Sequence, residues 1–185
     1  MTDASGSIEV ELKFILPGRQ SENTVIGFLR RNKYRVTKIG PLENIDIYMD
    51  TSDWSLLRNK LSLRYRVSDG RAMYTMKSVG EIQDGIAKRT ENEIGLEAPP
   101  QSPTEIPIKS LRKQVDEIIF PRKLLEQILI RTYRRRYMAL TPEKARIELD
   151  FDASSFAADA LFKPKRAPRL YQFEAEVIKG PETAL

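Results

Sequence analysis

The chain has 185 residues, of which 41% are hydrophobic and 31% charged, and its formal net charge is +5. This balance is that of a folded globular protein and excludes an intrinsically disordered chain. The chain contains no cysteine and no histidine, which excludes a disulfide framework, a thiolate nucleophile and an imidazole base or metal ligand. Oxygen ligands then favour Mg²⁺ or Mn²⁺ over zinc. We expect a single domain over residues 1–185.

The first predicted strand carries charged residues on one face. In Glu9-Val10-Glu11-Leu12-Lys13 the charged side chains fall at alternate positions, and alternate side chains of a strand share a face. Two carboxylates two positions apart repel each other, and a divalent cation between them relieves that repulsion. We therefore predict that Glu9 and Glu11 bind a metal ion and that Lys13 completes an anion site beside it.

Helices interrupt the predicted strands. A helix is expected to begin at Ser21 and to end near Asn32, and another is expected around Leu111 and Val115, whose spacing is helical. Pro121 breaks or restarts this second helix. These segments are expected to serve as scaffold.

The alternation of charged and apolar residues returns in the later strands. The charged or polar sets that share a strand face are Arg64 with Arg66, Thr75 with Lys77, Arg89 with Glu91 and Glu93, Arg134 with Arg136, Glu148 with Asp150, and Glu174 with Glu176. In an ordinary soluble sheet the charged face meets water. Because the pattern recurs in every one of these strands, we predict instead a shared charged interior, with the apolar faces outward beneath helices or a partner.

The ordered set of motifs resembles the CYTH domains, also called triphosphate tunnel metalloenzymes. The residues similar to the family's motifs are Glu9, Glu11 and Lys13 for ExExK, Tyr48 to Thr51 for Y-x-D-T, Leu63 to Arg66 for L-R-x-R, Thr75 and Lys77 for T-x-K, and Arg89, Glu91 and Glu93 for R-x-E-x-E. The resemblance extends from Ile8 to Lys179.

This resemblance implies an α+β fold in which a closed antiparallel β-barrel of about eight strands forms a charged tunnel, with helices packed outside. It also implies a triphosphate on a basic wall, Mg²⁺ or Mn²⁺ on an acidic wall, and catalysis that depends on Lys13 and Glu11. The implied triphosphate-binding residues are Lys13, Arg64, Arg66, Lys77, Arg89, Arg134 and Arg136. The implied metal ligands are Glu9, Glu11, Glu148, Asp150, Glu174 and Glu176.

The resemblance leaves three activities open. The first is hydrolysis of inorganic triphosphate or of an organic triphosphate such as thiamine triphosphate. The second is that of a class IV adenylate cyclase, which converts ATP to cyclic AMP and pyrophosphate, but the cyclases' His-Phe pair is replaced by Ser5-Gly6-Ser7 before the first strand. The third is a non-catalytic receptor for polyphosphate or a phosphorylated ligand. The complete set of carboxylates favours an enzyme.

The expected partner is a small-molecule triphosphate. The net positive charge raises the alternative of nucleic-acid binding, but carboxylates on the same wall would repel a polynucleotide, so no nucleic-acid partner is expected. A polar interior with an apolar exterior also describes an outer-membrane barrel. The polar segment from Met1 to Ser7 lacks an apolar signal region, so we expect a cytoplasmic protein without a membrane partner. Helices or a symmetric homodimer would cover the apolar strand faces.

Overall fold

The structure, a computed structural model, describes residues 7–78, 81–83, 86–157, 169–181 and 184, with the backbone alone for residues 7–10, 81–83 and 86–91. Within these residues the chain forms nine strands and three helices. In chain order they are β1 (Ser7–Leu16), α1 (Ser21–Arg31), β2 (Arg35–Asp50), α2 (Ser55–Arg58), β3 (Leu61–Ser68), β4 (Arg71–Ser78), β5 (Glu81–Gln83), β6 (Ile86–Leu96), α3 (Lys109–Ile119), β7 (Leu125–Leu140), β8 (Arg146–Ala157) and β9 (Arg169–Lys179).

All nine strands belong to one antiparallel sheet in the order β1-β9-β8-β7-β2-β3-β4-β6-β5. An additional pairing joins β1 to β6. Residues 7–12 of β1 pair with β6, whereas residues 11–16 pair with β9, so that only Glu11 and Leu12 have a partner on both sides. Strands β6 and β9 therefore pair with different halves of β1 and are offset from each other along it.

The predicted closed barrel of about eight strands, with its tunnel, is wrong as stated. The sheet has nine strands, and it is not closed along its length, because β1 leaves β6 at the point where it begins to follow β9. The α+β class also overstates the helices, since the three helices of the described residues have 11, 4 and 11 residues. Alternation fixes which side chains share a face, but it does not fix how far neighbouring strands are offset.

The predicted separation of apolar and charged faces is confirmed in the strands whose side chains the structure describes. On the outer face of β2, β3 and β4, buried residues such as Leu63 and Tyr74 pack with Leu111 and Val115 of α3 in one hydrophobic cluster. Leu111, Val115 and Ile119 recur every four residues and are all buried, as expected of a helix that presents one face to a sheet. The inner face of the sheet is left to the charged residues.

A second hydrophobic cluster lies under α1. Ile26 of α1 packs with Leu149 and Phe151 of β8 on the outer face of the sheet. A polar contact fixes the start of the same helix, because Glu22 accepts hydrogen bonds from Arg135 Nε at 2.5 Å and from the Tyr137 hydroxyl at 2.6 Å. The hydrophobic cores therefore lie outside the sheet.

The three helices are also too short or too polar to cross a lipid bilayer, as far as the described part of the chain extends.

Candidate active site

The inner face of the sheet surrounds a charged cavity of about 480 Å³. Strands β1, β2, β3, β4, β6, β7, β8 and β9 all contribute side chains to it. The predicted site residues that line the cavity are Glu11, Lys13, Arg64, Arg66, Lys77, Arg134, Glu174 and Glu176. The structure thus brings together residues that lie more than a hundred positions apart in the sequence.

The other predicted site residues fall into two groups. Arg136, Glu148 and Asp150 lie on the same strand faces as the lining residues but are not part of the lining itself. The side chains of Glu9 and Arg89 lie outside the described residues, although their backbones pair with each other between β1 and β6. The roles predicted for these two residues stay predictions.

The cations of β3 and β4 form the basic part of the lining. Arg64 is only 7% exposed, and its Nη2 donates a hydrogen bond to Thr75 Oγ1 at 3.0 Å. Arg66 makes a two-pronged pair with Asp46, from Nε to Oδ1 at 2.6 Å and from Nη2 to Oδ2 at 2.9 Å. Burial works against the charged guanidinium, yet the contact with Asp46 raises the pKa of Arg66. Both arginines are therefore held in defined orientations.

Arg134 lies among carboxylates rather than among the other cations. Its Nη1 is 2.5 Å from Asp150 Oδ2, and its Nη2 is 2.7 Å from both Asp152 Oδ2 and Glu174 Oε2. Its Nε also donates to Asp152 Oδ1 at 2.8 Å. Each nitrogen of this guanidinium thus has a carboxylate partner, so Arg134 offsets part of the negative charge of these carboxylates.

The acidic wall consists of side chains from β8, β9 and β1. Glu176 is paired in register with Glu148 on one side and with Glu11 on the other, which places three carboxylates in one row across three strands. In the next row Glu174 is opposite Lys13, and the Lys13 Nζ lies 2.6 Å from Glu174 Oε1. Glu11 is 5% exposed, and its Oε1 is 3.7 Å from the same amine.

The environment moves the pKa values of the acidic residues in opposite directions. Burial raises the pKa of Asp150 to about 7, against the attraction of Arg134, and the negative charges of Glu148, Asp152 and Glu174 add to the rise. Burial alone would raise the pKa of Glu174 as well, but the charges of Arg134 and Lys13 outweigh it and lower that pKa. The wall thus holds more carboxylates than its cations can balance.

This excess of carboxylates suits a divalent cation. The donors are all oxygen atoms, which Mg²⁺ and Mn²⁺ prefer, and Asp150 Oδ1 is buried without a hydrogen-bond partner among the described residues. No group of three acidic side chains within the described part of the chain already converges on one point as metal ligands would. The chemistry of the residues fits a metal ion, and binding would require these side chains to turn toward it.

Sequence reasoning missed several residues of the cavity. Asp46 and Asp152 line it and hold Arg66 and Arg134, while Thr132 and Ser154 share a hydrogen bond of 2.8 Å. The alternation of strand faces could have identified both aspartates. Asp46 lies two positions before Tyr48, and Asp152 lies two positions after Asp150, so each shares a strand face with a residue that the motifs or the alternation had singled out. Their pairing with arginines depends on the strand register, which the alternation does not contain.

The Y-x-D-T segment has two functions in the structure. Tyr48 lines the cavity. Asp50, in contrast, accepts backbone hydrogen bonds from Thr51 at 2.7 Å, Leu56 at 2.8 Å and Leu57 at 3.0 Å. Asp50 thus satisfies the free N–H groups at the start of α2 and shapes the turn beside the cavity.

A family model described as the CYTH domain matches residues 7–183. The chain belongs to the CYTH domain family. The match includes the residues that line the charged cavity and the buried residues of both hydrophobic clusters.

Solved structures share the fold of this CYTH domain. HpAC1 from Hippeastrum, described as a "putative adenylyl cyclase" with a dominant triphosphatase activity, is 19% identical with a TM-score of 0.61, over 92% of this chain and 80% of the other. A "putative adenylate cyclase" from Bacillus halodurans is 16% identical with a TM-score of 0.56, over 97% and 84%. The PH1819 protein from Pyrococcus horikoshii is 16% identical with a TM-score of 0.51, over 95% and 80%.

Proposed function

We propose that this CYTH domain hydrolyses inorganic triphosphate, or an organic triphosphate such as thiamine triphosphate, in the charged cavity and with Mg²⁺ or Mn²⁺. The proposal rests on the residues that line this cavity. Arg64, Arg66 and Lys77 on β3 and β4 face the same space as the carboxylates of β1 and β9. A polyanion together with a divalent cation matches such a lining in charge.

The cations of the cavity would bind and orient the triphosphate. Arg64 and Arg66 present guanidinium groups that can each hold two phosphate oxygens, and Lys77 supplies a point charge beside them. Lys13 can turn from Glu174 toward a phosphate oxygen, since its side chain is 40% exposed. Fixed positive charges stabilise the charge that develops on the phosphate oxygens during phosphoryl transfer. Arg89, Arg134 and Arg136 are proposed as additional members of this set.

The carboxylates would hold the metal ion and accept a proton. The proposed ligands are Glu9, Glu11, Glu148, Asp150, Glu174 and Glu176. When bound, the ion would neutralise part of the negative charge of the phosphate groups. The oxygen of a water molecule forms a bond with the terminal phosphorus as the phosphoanhydride bond breaks, and the electron pair of that bond leaves with pyrophosphate, or with the organic diphosphate when the substrate is an organic triphosphate. A carboxylate of the acidic wall such as Glu11 takes the proton of the water, and orthophosphate is the second product.

A second candidate is the adenylate cyclase reaction, which the names of two of the solved structures suggest. Both reactions need the same cations and the same metal ion, but the cyclase reaction has a ribose hydroxyl as nucleophile and occurs at the α-phosphate. The cavity itself does not favour this reaction over hydrolysis. The products formed from ATP would distinguish the two.

The experiment is an incubation of the purified protein with tripolyphosphate or ATP, each with Mg²⁺ or Mn²⁺, followed by identification of every product. Orthophosphate and pyrophosphate from tripolyphosphate, with little cyclic AMP from ATP, are expected. Cyclic AMP with pyrophosphate from ATP would contradict the proposal and favour the cyclase. Tight binding of tripolyphosphate without turnover with either metal would contradict hydrolysis and indicate a non-catalytic receptor.

A further inference from the structure

A second cavity, of about 660 Å³, lies on the outer face of the sheet. Its lining includes Arg131, Tyr133 and Arg135 of β7 and Tyr171 of β9. In β7 these residues alternate with Arg134, which lines the charged cavity on the inner face, and with Thr132, which borders both cavities. The two cavities therefore lie on opposite sides of the same strands, and nothing in the proposed hydrolysis uses the outer one.

The strand register arranges the outer cavity in two rows. Tyr133, Ala153 and Tyr171 are paired in register across β7, β8 and β9. In the neighbouring row Ser155 lies between Arg131 and Arg169 in the same way. Small residues thus form the middle of each row, with a tyrosine on both sides in one row and an arginine on both sides in the other.

The outer cavity carries an excess of positive charge. Four arginines line it, namely Arg131, Arg135, Arg169 and Arg19, against the two carboxylates of Glu43 and Asp69. Arg19, Arg131 and Arg169 are exposed and form no ion pair among the described residues. Arg135 is 7% exposed, and its Nε is fixed by Glu22 at 2.5 Å. Such a recess attracts an anion.

We propose that this outer cavity binds a nucleoside monophosphate. The base would stack on Tyr133, which is 40% exposed, or on Tyr171, above the small side chain of Ala153. Stacking on tyrosine accepts any base because every base has a π-face.

The phosphate would lie between Arg131 and Arg169. Successive rows on one face of a strand are about 7 Å apart, a spacing that the ribose of a nucleotide bridges. Glu43 is paired in register with Tyr133 and would accept a hydrogen bond from a ribose hydroxyl or a base amino group. Base, sugar and phosphate each have a matching group, and this match selects a nucleotide over a simple anion.

The test is a calorimetric titration of the full chain with AMP. We expect AMP to bind, and we expect adenosine and ribose 5-phosphate to bind at least about tenfold more weakly, because each lacks one half of the recognised ligand. Equal affinity for AMP and ribose 5-phosphate would overturn the role of the tyrosines. No binding of AMP at millimolar concentration would overturn the proposal as a whole.

Variants then locate the bound nucleotide. Arg131→Gln and Tyr133→Ala remove exposed side chains and are expected to weaken AMP binding at least about tenfold, with no change in tripolyphosphate binding. Lys77→Ala, on the inner face, is the matched control and is expected to leave AMP binding unchanged. Loss of AMP binding in Lys77→Ala with retention in Arg131→Gln would place the nucleotide in the inner cavity and contradict the inference.

Discussion

Asp46 on β2 accepts two hydrogen bonds from the guanidinium of Arg66 on β3, at 2.6 Å from Nε and 2.9 Å from Nη2. Two parallel bonds fix the plane of the guanidinium as well as its position. The same Asp46 Oδ1 lies 3.8 Å from Arg64 Nε. One carboxylate of β2 therefore fixes Arg66 and also contacts Arg64, a second cation of the charged cavity.

We expect Asp46→Asn to lower the free energy of unfolding by about 2 kcal/mol in the absence of a ligand, because it removes a negative charge that two nearly buried guanidinium groups contact. Chemical denaturation measures this loss. Tripolyphosphate is expected to reduce the loss, because the anion replaces the missing carboxylate. Asp69→Asn, in an exposed turn, is the control and should change nothing. Wild-type stability of Asp46→Asn without the anion would show that the pair does not hold the arginines.

Glu11→Gln is expected to abolish most of the activity without unfolding the protein. Two unit charges about 4 Å apart interact by roughly 4 kcal/mol at an effective dielectric constant near 20, so the loss of one buried carboxylate strongly weakens metal binding. Thermal denaturation with and without Mn²⁺ measures the metal-dependent rise in Tm, which should disappear in the variant. Glu126→Gln, exposed at the start of β7, should retain both the rise and the activity. An unchanged rise in Glu11→Gln would remove Glu11 from the metal ligands.

The lowered pKa of Asp53 predicts that the stability of the fold depends on pH in the acid range. Hydrogen bonding from Thr51 Oγ1 at 2.6 Å, helped by Ser55, Arg122 and Arg58 against a smaller effect of burial, lowers the pKa of Asp53 to about 2 from 3.8. A lowered pKa in the folded state stabilises the fold above the unfolded pKa, and this stabilisation disappears as the pH falls from about 4 to about 2.

We therefore expect Asp53→Asn to be less stable than the wild type at neutral pH and the two proteins to converge below pH 3.8. Urea denaturation across this range measures the difference. Because Asn keeps an acceptor for Thr51 and Ser55, the comparison reports the charge together with its contacts to Arg58 and Arg122. A difference that stays constant from neutral pH to the acid end would show that Asp53 does not titrate with folding.

Asp50 is expected to matter for folding rather than for chemistry. Asp50→Ala removes the acceptor for three backbone N–H groups around the start of α2 and should destabilise the protein by at least about 2 kcal/mol. Asp50→Asn keeps one oxygen acceptor and should lie between Ala and wild type. Denaturation gives the stability, and the activity per folded molecule should be close to that of the wild type. A large loss of activity in a fully folded Asp50→Asn would instead assign Asp50 to the reaction.

Local patterns of the sequence were enough to predict which faces carry charge. Leu63-Arg64-Tyr65-Arg66 alternates as predicted, with the tyrosine in an outer cluster and the arginines in the cavity. The turn at Asp69-Gly70 is likewise a local feature, because an Asp-Gly pair suits a tight turn between strands, and both residues have positive φ, 48° and 73°, where they join β3 to β4. Both features depend on neighbours in the sequence, which is why they could be predicted.

Features that depend on distant residues could not be predicted in this way. The pairing of Asp152 with Arg134 requires the register between β7 and β8, and the offset of β1 between β6 and β9 requires the course of the whole sheet. The segment around Leu125 and Ile128 illustrates a local ambiguity. Its apolar spacing also suited the helix that Pro121 was expected to restart, but the chain begins β7 at Leu125.

The position of the hydrophobic cores outside the sheet has a consequence for how this protein tolerates change. In most small proteins the interior supplies stability, so that a new interior side chain disturbs the packing on which the fold depends. Here α1 and α3 cover the sheet from outside, and the interior contributes charge pairs instead. Substitutions that exchange one balanced set of interior charges for another can therefore alter the bound ligand while the apolar packing remains intact.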